Sequence, residues 1–134
     1  MGASKYIRNN ERNIYKNRER VKQLLTEARN GPLIERIERP SKLYRARELG
    51  YRAKPGYVVV RVRIGKGSFR RPRATHARRP SKSGIFYNLN ISKQRIAESR
   101  ASRKYSNMRV LGSYFLVDDG QSSWYEVLMA DSAR

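Results

Sequence analysis

Cysteine is absent from this 134-residue chain, which excludes disulfides and thiolate metal sites. Histidine occurs once, at His76. It lies in an arginine-rich stretch with no acidic residue nearby in sequence to orient it for proton transfer. Acidic residues are scarce: 11 Asp and Glu stand against 31 Lys and Arg, a formal net charge of +20. No stretch is apolar enough to span a bilayer, and the basic residues are spread along the whole chain, so a membrane surface is a poor candidate partner. The start, Met1-Gly2-Ala3-Ser4-Lys5-Tyr6-Ile7-Arg8, lacks the apolar core of a secretory signal. A myristoylation pattern at Gly2 wants Ser or Thr where Tyr6 stands. An intracellular protein is therefore expected.

What the chain has in excess is positive charge. Its length suits one domain, 1–134, with a modest core. A charge of +20 says nothing about fold, but it makes the compact chain repel itself and calls for an anionic partner. Nucleic acid fits best, because releasing its condensed counterions drives binding. No small-molecule substrate is implied.

Residues 1–50 read as a helical N-terminal part. Ser4 is placed to cap a helix along which Ile7, Ile14, Val21 and Ala28 recur at heptad spacing. Asn9 and Asn10 are weak helix formers that predict a break near its start. Asn30-Gly31-Pro32 ends it, by a left-handed cap at Asn or Gly and a proline that cannot continue it. Leu33–Arg39 reads as a short helical turn anchored by Ile34 and Ile37 and stopped by Pro40. Ser41 is expected to cap a helix from Lys42 to Leu49 that buries Leu43 and Ala46, with Gly50 as its stop. Gly50–Tyr57 is a structured basic loop with a Pro-Gly turn that leads into the next strand.

The strand at 57–64 is the clearest element. Val58, Val60, Val62 and Ile64 alternate with Tyr57, Val59, Arg61 and Arg63, the period of a half-buried strand. Residues 65–90 form a basic loop with little to bury in its first part. Gly84–Ile91 reads as a short edge strand or an extended segment. Within 92–131, Ser92 caps a helix to Lys104 with Ile96, Ala97, Ala101 and Tyr105 inward. Arg109–Val117 and Trp124–Met129 follow as antiparallel strands joined by the hairpin loop Asp118–Ser122. The fold class expected is α+β: a small, mainly antiparallel sheet flanked by helices, with extended basic loops and arms.

Catalytic readings fare badly. Asp118 and Asp119 could suggest a nuclease metal pair, but adjacent acids before Gly120 suit a turn with positive φ, and further carboxylates are lacking. Gly65-Lys66-Gly67-Ser68 follows a strand, yet the Walker spacing and the helix after it are missing. The cationic pattern remains. Arg70, Arg71, Arg73, Arg78, Arg79 and Lys82 are interleaved with Phe69, Pro72 and Pro80, a semi-extended run suited to phosphate contacts and base stacking.

Several pieces also resemble one family in register. Gly50-Tyr51-Arg52-Ala53-Lys54-Pro55-Gly56-Tyr57-Val58 is similar to the "GYKAKQGYV" motif of archaeal and eukaryotic large-subunit ribosomal protein fifteen, the "e" type. Glu35–Pro40 resembles its archaeal form, Ile96–Arg103 its "VAEERASR" helix, Arg109–Tyr114 its "RVLNSY", and Glu126–Met129 the start of "EVILIDP". The chain departs from that pattern at Tyr44, Pro55 and Gly112, and it stops where family members continue into a basic extension.

The resemblance implies a structural constituent of the large subunit in the cytoplasmic ribosome. Its partners would be large-subunit rRNA and neighbouring ribosomal proteins, and it would have no enzymatic activity. No cofactor is expected beyond Mg²⁺ that accompanies rRNA. The RNA contacts expected are Arg12, Lys16, Arg18, Lys42, Arg45, Arg47, Tyr51, Arg52, Lys54, Arg61, Arg63, Lys66, Arg70, Arg71, Arg73, His76, Arg78, Arg79, Lys82, Arg100, Arg103 and Lys104. The residues alone do not choose rRNA over DNA, so a DNA-binding architectural protein stays as the alternative.

Overall fold

A computed structural model describes residues 2–67, 71–72, 76–77, 79, 81, 83–85 and 87–132. Helices α1 (Ala3–Lys16) and α2 (Arg18–Asn30) come first, then strand β1 (Ile34–Ile37), helix α3 (Leu43–Glu48) and strand β2 (Tyr57–Gly65). Beyond the basic loop, helix α4 (Lys93–Lys104) leads into the hairpin of β3 (Met108–Asp118) and β4 (Ser122–Asp131). The strands form an antiparallel sheet in the order β1-β2-β4-β3. The α+β class expected from the sequence is the class found.

The sheet is covered on both faces. On one, Val60, Val62 and Ile64 of β2 and Val127 and Met129 of β4 pack against Ala97 and Ala101 of α4. Both alanines are fully buried, and their small side chains let the helix backbone come close to the sheet. On the other face, Val59, Tyr114 and Leu128 pack with Ala46 of α3 and with Tyr51. Beside them Leu116, Val117 and Trp124 enclose Ala28 of α2. The Trp124 indole Nε1 donates to the Ala28 carbonyl at 3.1 Å, fixing the end of α2 to the sheet.

Double coverage explains why strict alternation fails. Val59, expected beside outward arginines, is 1% exposed, and Val127 to Ala130 are all buried. A strand covered on both faces carries an apolar run in place of an alternating one. Irregularities in the β3–β4 register, between Val110 and Gly112 and between Phe115 and Val117, shift side chains across the sheet. Leu111 and Tyr114, three residues apart, therefore share a core cluster.

Four local expectations are corrected. The helical N-terminus breaks at Asn17, not at Asn9 and Asn10. The Asn17 N–H donates to the Asn13 and Ile14 carbonyls, both at 3.2 Å, while its side chain accepts from Glu19 N at 3.1 Å. One residue thus closes α1 and caps α2, and Ser4 lies inside α1 with Gly2 at its N-cap. Leu33–Arg39 is not helical: Ile34–Ile37 pairs with β2, Ile34 opposite Val62. A segment too short for a stable helix satisfies its backbone groups at an open sheet edge instead. Ser41 does not cap α3, because its hydroxyl and N–H both go to Glu126. For Gly84–Ile91, read as an edge strand or an extended segment, no strand is present among the described residues, which leaves the second reading standing.

The turns divide similarly. Gly50 and Gly56 have φ of 93° and 92°, the first stopping α3 and the second completing the Pro55-Gly56 turn closed by Tyr57 N to Lys54 O at 3.3 Å. Gly31 instead has φ −77°, so α2 ends without a left-handed cap. Gly120 needs no positive φ either. The hairpin is closed by the Asp119 carboxylate, which accepts from Gln121 N at 2.8 Å and Ser122 N at 2.6 Å.

Both sheet edges are occupied by side chains. On β3 the Ser113 carbonyl accepts from Gln94 Nε2 at 3.0 Å and the Phe115 carbonyl from Lys42 Nζ at 2.7 Å. On β1 the Ile34 carbonyl accepts from Lys104 Nζ at 2.9 Å.

Candidate nucleic-acid interface

The expected contacts separate into cations that build the frame and cations displayed on it. Arg61 belongs to the frame. Its side chain is 12% exposed, with Nη2 3.5 Å from a Glu126 carboxylate oxygen and Nη1 3.9 Å from Glu35. Glu126 is fully buried and also accepts from Ser41 N at 3.0 Å, Ser41 Oγ at 2.6 Å and the Tyr114 hydroxyl. Burial and the Glu126 charge beside it push the Tyr114 hydroxyl far above the ordinary tyrosine range. Among the described residues Arg61 Nε has no acceptor. A charge held this way supports the sheet.

Tyr51 is likewise in the core, 9% exposed and edge-on to Tyr57 with ring centroids 6.2 Å apart. Arg63 is half-buried over the Trp124 ring at 5.3 Å, its Nε donating to Ser122 Oγ at 3.1 Å. Lys66 is ion-paired to Asp118. Lys42 is half-buried over the Tyr15 ring at 4.5 Å, and burial lowers its pKa. Arg45 pairs with Glu48 at 2.8 Å. Arg100 lies 3.4 Å from the Arg63 carbonyl, and Lys104 holds the β1 edge. Asp118 and Asp119 are accounted for by Lys66 and by the turn, with Arg29 Nε 3.0 Å from Asp119.

The displayed set is different. Arg12 and Lys16 on α1, Arg18 at the start of α2, Arg47 on α3, Arg52 and Lys54 in the loop before β2, and Arg103 on α4 are exposed. None of them is ion-paired to a carboxylate among the described residues. In the basic loop Arg71, His76 and Arg79 are also exposed, and His76 and Ala77 take left-handed φ of 62° and 47°. Two successive non-glycine residues there are uncommon. Arg70, Arg73, Arg78 and Lys82 lie outside the described residues.

Two further features carry no local signature in the chain. Arg8 stacks on the Tyr44 ring at 5.4 Å, beside a groove of about 400 Å³ between α1 and α3 that Arg12, Lys42 and Arg45 also line. Glu126, the hub of the buried network, looked like an ordinary strand residue. Both depend on segments distant in the chain, so no local spacing could reveal them. Among the described residues no cluster of His, Asp and Glu could hold a metal ion, and no helix is long and apolar enough to cross a membrane.

A double-covered antiparallel sheet with a cationic periphery defines a class: basic α+β proteins of nucleoprotein assemblies. A family model described as Ribosomal L15 matches residues 2–134, and the chain belongs to that family. It is a structural constituent of the large subunit of the cytoplasmic ribosome, in a family that is generally non-enzymatic. Ribosomal RNA and other ribosomal proteins are the partners that membership implies.

Proposed function

We propose that the chain binds and stabilises large-subunit rRNA through phosphate contacts made by its displayed cations. The observation that carries this reading is the division of charge. Glu35, Glu48, Glu126, Asp118 and Asp119 are engaged internally, whereas Arg12, Lys16, Arg18, Arg47, Arg52, Lys54 and Arg103 are exposed without a carboxylate partner among the described residues. These cations sit on α1, α2, α3, α4 and the loop before β2, so they approach phosphates from several directions. The basic loop, with Arg71 and Arg79 exposed, extends the set as an arm anchored at β2 and α4. A-form RNA exposes backbone and 2′-hydroxyls more readily than base edges, so shape and phosphate contacts should dominate. The frame cations Arg61 and Arg63 act by holding the sheet.

The test is a salt titration of binding to an rRNA fragment from the large subunit. Log affinity should fall linearly with log salt, with about −0.7 to −0.9 per neutralised phosphate. Arg47→Ala and Arg52→Ala should each reduce that slope by about one, whereas Arg61→Met should leave it unchanged. A flat salt dependence overturns the reading. Equal affinity for B-DNA of the same length would favour the architectural alternative.

A further inference from the structure

We infer that the open side of the Tyr87 ring is a stacking platform for an unpaired base of an RNA. The inference rests on the RNA-binding reading above and goes beyond phosphate contact.

Tyr87 lies in the return limb of the basic loop and is 44% exposed. The Arg71 guanidinium carbon sits 4.5 Å from its ring centroid, and Arg71 N donates to the Ile85 carbonyl at 3.0 Å. That backbone bond ties the two limbs together directly beside the ring. At the hydroxyl end, a Cβ built on Gly84 would fall 1.9 Å from the Tyr87 oxygen, so the phenol lies against the Gly84 backbone. The ring is thus held by a guanidinium and by Gly84, while 44% of the residue is exposed. An aromatic already fixed in place loses little side-chain freedom when a partner stacks on it.

The neighbouring residues favour a base as the occupant. Leu89 is 60% and Ile91 56% exposed, so apolar side chains continue along the same segment at alternate positions. A nucleobase offers a π face that stacks on an aromatic whatever its sequence. Arg71 behind the ring can meet the phosphate of the same or the next nucleotide, and a guanidinium also favours the stack through cation–π attraction. A base within a continuous A-form helix cannot reach the ring, so the ligand is a bulged or looped nucleotide.

The experiment uses the purified chain and two RNAs: a fully paired stem, and the same stem carrying a single bulged 2-aminopurine. The wild type should bind both with steep salt dependence, prefer the bulged RNA, and quench 2-aminopurine fluorescence. Tyr87→Ala should remove about tenfold of affinity for the bulged RNA, with little change for the stem, and abolish the quench. Tyr87→Phe should behave as wild type, whereas Tyr87→Leu, which keeps apolar bulk without a π face, should lose the quench. Salt-dependent binding of both RNAs with no quench and no effect of Tyr87→Ala overturns the platform and leaves the phosphate reading intact. Failure to bind either RNA overturns both.

Discussion

Replacing Glu126 by alanine removes one acceptor from four directions at once: Ser41 N, Ser41 Oγ, the Tyr114 hydroxyl and the Arg61 guanidinium. Glu126 is fully buried and the Arg61 side chain only 12% exposed, so neither water nor salt replaces what is lost. Breaking a buried, hydrogen-bonded ion pair on one side costs about 3–5 kcal/mol, a large share of the roughly 5–15 kcal/mol that holds a small protein together. Trp124, the only tryptophan, lies on the same strand and is 1% exposed, so its fluorescence reports loss of the sheet. With a urea m-value of about 2 kcal/mol/M, the midpoint for Glu126→Ala should fall by about 2 M. Glu126→Gln keeps the shape and one acceptor oxygen, and should fall by about 1 M, the loss of charge-assisted bonds. The double replacement Arg61→Met with Glu126→Leu removes both charges and should recover only part of the stability, because Ser41 N, Ser41 Oγ and the Tyr114 hydroxyl still lack their acceptor. If Glu126→Ala unfolds within about 0.3 M of wild type, the hub reasoning is wrong.

The hairpin turn is pH-sensitive in a defined direction. Hydrogen bonds from Ser122 N and Gln121 N, helped by Arg29, hold the Asp119 carboxyl down at about 2 from an ordinary 3.8. A depressed carboxyl contributes stability above its ordinary pKa and loses it as pH falls through the folded value. Asp119→Asn should therefore be less stable than wild type at neutral pH, with the gap closing between pH 3.8 and about 2, as followed by thermal melts across that range. Gly50→Ala places a Cβ at φ 93° and should cost about 1–3 kcal/mol, read from the urea midpoint. Gln94→Leu uncovers the Ser113 carbonyl on the β3 edge. It should raise concentration-dependent light scattering at neutral pH with little change in helical circular dichroism.

Legibility in the sequence followed locality. The α4 helix, its Ser92 cap accepting from Arg95 N at 3.2 Å, the β3–β4 hairpin and β2 were all readable from short-range patterns. So was the Pro55-Gly56 turn. Much of what failed needed a partner far along the chain, although the Asn17 break, whose bonds to Asn13, Ile14 and Glu19 are all local, was missed as well. Ile34–Ile37 is a strand only because β2 offers an edge, and Val59 is buried only because α3 and Tyr51 cover that face. Charge was readable in total but not in assignment. Arg61 and Arg47 are alike in sequence, yet one lies beside Glu126 and the other is exposed.

The plugged sheet edges bear on the chain's life before it meets its anionic partner. Open β1 and β3 edges would let copies join strand to strand, and high positive charge alone slows such joining without blocking it. Lys42, Lys104 and Gln94 close the way with bonds to the strand carbonyls. Lysines at the edge bring a second deterrent, because an incoming copy would have to bury them. Edges closed in this way disfavour strand-to-strand joining of copies.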